Sequence, residues 1–245
     1  MVITSLENDR IKYYIKLRDR KYRKKNKEFI VEGMHLVLEA YKNNIVKELI
    51  LEENVSLPLS LPAVYVTKEV MNKLSEMESP SDVMALCRIE EKEITGNKFI
   101  MLDDIQDPGN LGTIIRSAAA FNIDTVILSP NTVDLYNPKV IRGTQGMIFN
   151  VNIVTRDLIS VIDELKQREI PIYGTRVNYG DDVRALKNKD KSSYCLIVGN
   201  EGQGIKDEIL DKCDLFLHID MNDKVESLNV GVAASIILYE LDRGD

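Results

Sequence analysis

Phe99-Ile-Met-Leu-Asp-Asp-Ile-Gln-Asp-Pro-Gly-Asn-Leu-Gly-Thr-Ile-Ile-Arg116 sets an apolar run of strand length before a polar turn carrying proline and glycine, and follows it with helical spacing. A run of this kind, apolar at every position, is what a strand buried on both faces requires, and the turn then leads into a covering helix. The same unit recurs downstream. Ile114 to Phe121 and Asp157 to Arg168 have helical periodicity, and Leu228 to Leu241 reads as a terminal helix. Between them Thr125 to Leu128, Ile170 to Tyr173, Tyr194 to Val198 and Leu215 to Ile219 read as strands. Strict alternation predicts a parallel sheet with helices on both faces.

Upstream, Phe29 to Val31, Val46 to Leu51, Ala63 to Val66 and Val83 to Cys87 read as strands, with helices at Met34 to Tyr41 and Lys68 to Leu74, the latter N-capped by Thr67. These form a smaller α/β unit. Glu90 to Lys98 is charged, ends in a Gly-Asn turn signal and lacks apolar periodicity, so it reads as a linker. Two domains are expected, residues 1–92 and 98–245.

Composition narrows the function classes. The chain has 245 residues, 44% of them hydrophobic, enough to fill real cores. No apolar run approaches the roughly 20 residues of a membrane span, and Met1 to Arg10 lacks the order of a signal peptide, so a cytoplasmic protein without membrane association is expected. Cys87, Cys195 and Cys213 are widely spaced in apolar contexts and read as reduced core residues. His35 and His218 have no partner at metal-ligand spacing, which predicts no metal site, and no nucleophile elbow accompanies them. Net charge is −7, yet Arg10 to Lys27 holds ten basic residues and one acid, Asp19. That segment carries +9 and is interleaved with Tyr13, Tyr14 and Tyr22. Such a run is either a solvated face or a surface for RNA, with cations on phosphates and rings on unpaired bases. Within it Arg18, Arg20, Lys21, Arg23 and Lys24 are the candidate RNA contacts.

Three glycine-bearing segments fall where strands should end: Asp107 to Arg116, Val198-Gly-Asn-Glu-Gly-Gln-Gly204 and Ser227-Leu-Asn-Val-Gly231. Ligands of open parallel sheets bind at those ends. A phosphate loop fits poorly, because Gly199 to Lys206 misses the Gly-Lys-Ser/Thr ending and places Glu201 where a phosphate would be repelled. Gly-Asn-Leu-Gly likewise lacks the dinucleotide fingerprint. A ligand without phosphates is expected.

These segments resemble the SpoU, or TrmH-like, branch of the SPOUT RNA methyltransferases. Leu102 to Phe121 is similar to the family's first motif, Ile197 to Ile205 to the second and Ser227 to Glu240 to the third, while Asn137 to Phe149 is similar to its connecting segment. Phe29-Ile-Val-Glu-Gly33 and the helix after it resemble the L30e-like substrate-binding domain that many members carry. The resemblance implies a parallel-sheet SPOUT domain with a C-terminal deep trefoil knot, preceded by the smaller L30e-like domain. It implies S-adenosylmethionine as cofactor and methyl transfer to a ribose 2′-hydroxyl, with dimerisation through the catalytic domain. Ribosomal RNA is the expected substrate; transfer RNA, or a noncatalytic RNA-binding or ribosome-assembly factor of the same fold, is the alternative.

By position in these motifs the resemblance assigns Gly199, Ile219 and Leu228 to the cofactor and Asn110, Arg116, Glu201, Ser227 and Asn229 to catalysis. Arg116, as an arginine, suits clamping a phosphate and stabilising a developing alkoxide, although a role as base stays open. Asn110, Ser227 and Asn229 can equally cap helices, and Ile219 and Leu228 can equally be core. Arg142 suits an RNA phosphate, a solvent-exposed position or a dimer interface. Thr144 and Gly231 stand where relatives often have serine, a departure that bears on substrate detail.

Overall fold

The computed structural model describes residues 2–177, 179–188 and 190–243. It divides into two compact units, Met1–Glu91 with Tyr136–Phe149, and Lys92–Leu135 with Asn150–Asp245.

The first unit contains β1 (Val2–Ile3), α1 (Asp9–Lys16), α2 (Arg20–Asn26), β2 (Glu28–Glu32), α3 (Met34–Lys42), β3 (Val46–Glu52), β4 (Ala63–Val66), α4 (Lys68–Leu74) and β5 (Val83–Arg88). Its five-stranded sheet has the order β1-β4-β3-β5-β2, with β1, β4 and β3 parallel and β5 antiparallel to both β3 and β2. The basic segment is not a free arm. Asn8 caps α1 by accepting from Arg10 N and Asp19 caps α2 by accepting from Lys21 N, while Ile11, Tyr14 and Leu17 join Ile50, Val66, Val70 and Met71 in the core. Spacing of three places those apolar side chains on one helical stripe. Tyr14 is 1% exposed and donates to Glu48, and Tyr13 donates to Glu28, so neither is free to stack on a base as expected. Tyr22 does reach solvent.

In the second unit the chain runs through β6 (Lys98–Asp103), α5 (Pro108–Ala120) and β7 (Thr125–Leu128). The short α6 (Pro138–Gly143) then packs with the first unit, within residues 136–149. There follow β8 (Asn152–Thr155), α7 (Leu158–Gln167), β9 (Ile172–Thr175), β10 (Asp181–Asp182), β11 (Tyr194–Gly199), α8 (Asp207–Leu210), β12 (Leu215–His218) and α9 (Val230–Asp242). Seven strands pair in the order β10-β12-β9-β11-β6-β7-β8, every pairing parallel. Phe99, Ile100, Met101 and Leu102 are fully buried, as the unbroken apolar run requires. Each such side chain contributes about 1.5–3 kcal/mol relative to exposure. Phe99, Met101, Ile162, Leu165, Ile172 and Ile197 form one cluster between α7 and the sheet.

From β6 the chain builds outward through β7 and β8, then returns to build β9, β11 and β12 on the other side. The boundary between β6 and β11 is therefore a topological switch point, and the loops leaving β6, β9, β11 and β12 gather at the carboxyl ends of the strands.

Candidate functional site

Gly199 closes β11 and begins a tight return. A Cβ there would lie 2.1 Å from the Gly204 carbonyl carbon and 2.2 Å from Ile205 N, so no side chain fits. Asn200 N donates to Gly204 O at 3.0 Å and Gly204 N to Asn200 O at 2.9 Å, with Gly204 at φ +72°. Inside this ring Asn200 Oδ1 accepts from Gly202 N and Gln203 N, and its Nδ2 donates to Asp104 O at 2.9 Å. The ring thus holds its own backbone and ties itself to the loop after β6. Beside it opens a cleft of about 540 Å³, whose walls include Thr175, Gly199, Glu201, Ile219, Ser227 and Leu228. That size suits a small organic ligand.

A line of hydrogen bonds joins the three loops. Asp107 caps α5 by accepting from Asn110 N at 2.8 Å, with Pro108 in the first turn. The cap is therefore Asp107, which leaves the Asn110 side chain free for other work. Asn110, 8% exposed, donates through Nδ2 to Glu201 Oε1 at 2.9 Å and accepts through Oδ1 from Asn229 Nδ2 at 2.8 Å. Asn229 is also the N-cap of α9, its Oδ1 accepting from Gly231 N and Val232 N. Glu201 further accepts from Asp107 N at 3.0 Å and Gln106 N at 3.1 Å. Burial tends to raise the Glu201 carboxyl pKa, but the bonds from Asn110 and from these backbone N–H groups outweigh it and hold it below the ordinary value.

Lys206 reinforces the same junction. Its N and Nζ donate to the two oxygens of Asp103, 1% exposed, and Nζ also reaches Asp104 at 2.7 Å. Helices α5 and α9 are fastened by Ser117 and Ser235 at 2.6 Å. Gly231 sits against Thr113, where a Cβ would come within 3.2 Å of the threonine side chain.

The SpoU rRNA Methylase family model matches residues 97–239, which contain the whole of this arrangement. The chain belongs to that family. An MRM3-like substrate binding domain model matches residues 8–85 of this SpoU methylase. It is 39% identical to the 23S rRNA (guanosine(2553)-2′-O)-methyltransferase RlmP of Bacillus subtilis (strain 168) over 98% of each chain. Its fold is similar to the AdoMet-bound rRNA methyltransferase of Sinorhizobium meliloti, with a TM-score of 0.87, 25% identity and coverage of 98% and 97% of the two chains. It is also similar to the SpoU methyltransferase AviRb of Streptomyces viridochromogenes in complex with AdoMet, with a TM-score of 0.86, 26% identity and coverage of 96% and 97%.

In this SpoU methylase, Gly199, Glu201, Ile219, Ser227, Leu228 and Asn229 all line the cleft, and Asn110 is bonded to two of them. Arg116 lies six residues beyond Asn110 on α5, exposed, its side chain without a hydrogen bond or ion pair among the described residues. It stands outside the hydrogen-bonded line.

The candidate RNA contacts divide. Lys21 and Lys24 are exposed on α2 and Arg20 is half-buried. Arg23 is 5% exposed and donates to Leu17 O at 2.7 Å and Arg18 O at 2.6 Å. Its guanidinium closes the end of α1, which corrects the expectation that it grips phosphate. Arg18 is half-buried, donating to Lys73 O and Ser75 O and pairing with Glu76. Arg142 is half-buried on α6 and shares a small cavity with Arg18 and Glu32. Thr144 is buried, its hydroxyl donating to Ile141 O.

Asn200, the Lys206–Asp103 pair and the backbone of Gln106 and Asp107 belong to the site without being marked by the three motifs. A Gly-Asn step is a turn signal that points to Asn200; nothing local pairs residues 103 and 206. Sequence spacing gives His218 no partner for chemistry, whereas it ends β12 on the wall of the cleft, its buried Nδ1 without a hydrogen-bond partner among the described residues.

Proposed function

We propose that this chain transfers a methyl group from S-adenosylmethionine to a ribose 2′-hydroxyl of ribosomal RNA, at a guanosine of 23S rRNA, and works as a homodimer. The observation that carries the reading is the Glu201–Asn110–Asn229 line, which binds the three motif loops into one rim around a cleft of small-molecule size. A nucleotide choice of guanosine is supported by 39% identity over 98% of a relative named for that reaction.

Residues of the cleft fit the cofactor. Gly199, where a Cβ would strike the returning Gly204–Ile205 backbone, lets the loop turn tightly at the cleft wall, His218 on the same wall keeps a buried Nδ1 without a hydrogen-bond partner among the described residues, and Ile219 and Leu228 supply apolar walls. Gly199, Ile219 and Leu228 would hold it. Bound there, S-adenosylmethionine supplies a methyl activated by the sulfonium. The chain's own tasks are to orient the ribose and manage the hydroxyl's proton. Arg116 presents a guanidinium that clamps the phosphate beside the target ribose and stabilises the oxygen as negative charge develops. Asn110 and Asn229, each held by the other, position the loops, and Ser227 offers a hydroxyl at the rim. Lys21, Lys24, Arg20 and Arg142 hold RNA phosphates.

Homodimerisation is supported by α9, which is apolar around most of its circumference and leaves Val232 and Tyr239 exposed. The reading includes the trefoil knot, supported by the way loops 199–205 and 219–229 share one cleft. The reading includes action in the cytoplasm on a ribosomal substrate; among the described residues no helix is long and apolar enough to cross a membrane.

The test is incubation with methyl-labelled S-adenosylmethionine and an unmodified 23S rRNA transcript, followed by digestion and nucleoside chromatography. Label in 2′-O-methylguanosine is expected. Label on a base, or in transfer RNA alone when total RNA is offered, refutes the assignment.

A further inference from the structure

One charged group at the mouth of the cleft is accounted for by none of the motifs. Arg176 follows β9 and lines the cleft beside Thr175 and Val177. Its guanidinium carbon lies 4.7 Å from the centroid of the Phe216 ring and 5.5 Å from that of Tyr179, the two rings being 5.9 Å apart at 53°. Tyr179 is 62% exposed and does not belong to the cleft walls, so the cluster leads from the cofactor cleft to the outer surface. Gly180 holds it there. With φ at +117° and a Cβ that would fall 2.3 Å from Phe216 O, only glycine lets this turn lie against β12.

Neighbouring carboxylates are already taken. Arg184 pairs with Asp182 at 2.6 Å and with Asp220 at 3.4 Å. Hydrogen bonding to Arg184 is the main reason the Asp182 carboxyl is pulled down to about 2. The backbone N of Arg176 donates to Leu217 O, while its guanidinium has no hydrogen bond or ion pair among the described residues and meets only the two rings. Stacking occupies the faces of a guanidinium and leaves its in-plane N–H groups, the ones that match a phosphate, to be filled from outside. A pre-oriented cation with an exposed ring next to it offers two contacts to one strand, phosphate and unpaired base.

We propose that Arg176, packed against the Phe216 and Tyr179 rings, grips an RNA phosphate next to the reacting ribose, and that Tyr179 stacks on the adjoining unpaired base. This rests on the RNA-methylation reading above. The rival anion is the carboxylate of the cofactor; RNA is favoured because the exposed ring lies outside the cleft that would hold the cofactor.

Full-length Arg176→Ala, Arg176→Lys and Tyr179→Ala proteins are compared with wild type for affinity to the unmodified 23S transcript across a potassium chloride series. Affinity for S-adenosylmethionine is measured separately by calorimetry. Arg176→Ala is expected to weaken RNA binding about tenfold and to lower the slope of log affinity against log salt by about 0.7–0.9, the release of one phosphate contact. Arg176→Lys should restore the slope but not the full affinity, and Tyr179→Ala should weaken RNA binding at least about fivefold with little change in slope. Cofactor affinity should stay within about twofold throughout. Loss of cofactor affinity with RNA affinity intact would assign Arg176 to the cofactor carboxylate, and no change in either would reduce the cluster to surface packing; both overturn the proposal. Wild-type methyl transfer is recorded in parallel, so a protein that binds both ligands without transferring methyl undermines the functional reading while the Arg176 contact is still decided by the salt slope.

Discussion

Asn229 Nδ2 donates to Asn110 Oδ1 at 2.8 Å across 119 residues of sequence, while the Oδ1 of Asn229 caps α9 and the Nδ2 of Asn110 reaches Glu201. Both amides are oriented by this: each must turn its oxygen and nitrogen one way only, because the partners of one end are N–H donors and those of the other are oxygens. The rim of the cleft is a single polar unit, and its members should behave as one.

Asn110→Ala leaves a Glu201 oxygen short of one donor and the Asn229 amide without its acceptor, and should destabilise the protein by about 1–3 kcal/mol. Asn229→Ala adds the loss of a helix cap, about 1 kcal/mol. Urea denaturation of the two single variants and the double variant checks the coupling. A unit predicts that the double variant costs less than the sum by at least about 0.5 kcal/mol; strict additivity contradicts it.

Gly199→Ala meets backbone at 2.1–2.4 Å, with no flexible side chain to yield. Either β11 or the Asn200–Gly204 ring must shift. Calorimetry with S-adenosylmethionine should find affinity reduced more than about tenfold, accompanied by about 1–3 kcal/mol of overpacking strain. Near wild-type affinity would mean the ring is not the cofactor wall.

Arg116→Ala should lower turnover about 10²–10³-fold while cofactor affinity stays within about twofold, since the side chain stands apart from the cleft lining. Single-turnover methyl transfer and calorimetry separate the two. Equal losses in both would place Arg116 in cofactor binding instead.

Glu201 titrates below the ordinary carboxylate value in the folded protein. Its contribution is therefore fully present above the unfolded-state pKa, about 4.3, and is lost as pH falls through the folded value. Wild type should exceed Glu201→Gln in stability at neutral pH, and the gap should shrink as acid protonates the carboxylate. Urea midpoints taken from pH 7 downward follow it; a gap that widens on acidification has the wrong sign.

Arg23→Ala should destabilise the first unit, because it exposes the carbonyls of Leu17 and Arg18 that the buried guanidinium satisfies. Lys21→Ala with Lys24→Ala should leave the thermal midpoint nearly unchanged and flatten the salt dependence of RNA binding by about one contact each. Melting curves and RNA titrations at several salt concentrations distinguish these roles.

What the amino-acid sequence determined alone is what local pattern encodes. The buried run Phe99 to Leu102 specifies a strand covered on both faces, Thr125 to Leu128 appears as β7 with the expected bounds, and Asp157 and Arg168 are the caps of α7. Short-range spacing sufficed because each such element buries its own apolar face. It misled where charge drew attention from that face: Ile11, Tyr14 and Leu17 repeat at helical spacing beneath the lysines and arginines, and they make the basic segment part of a core. Only the tertiary structure decided how polar groups are shared. Whether Asn110 bridges loops and which rings Arg176 meets depend on partners tens to more than a hundred residues away, and whether Arg23 or Lys24 faces solvent depends on how α1 and α2 turn against each other. Hydrogen-bond donors and acceptors must be satisfied wherever the fold places them, and their allocation exists only once β6 and β11 lie side by side.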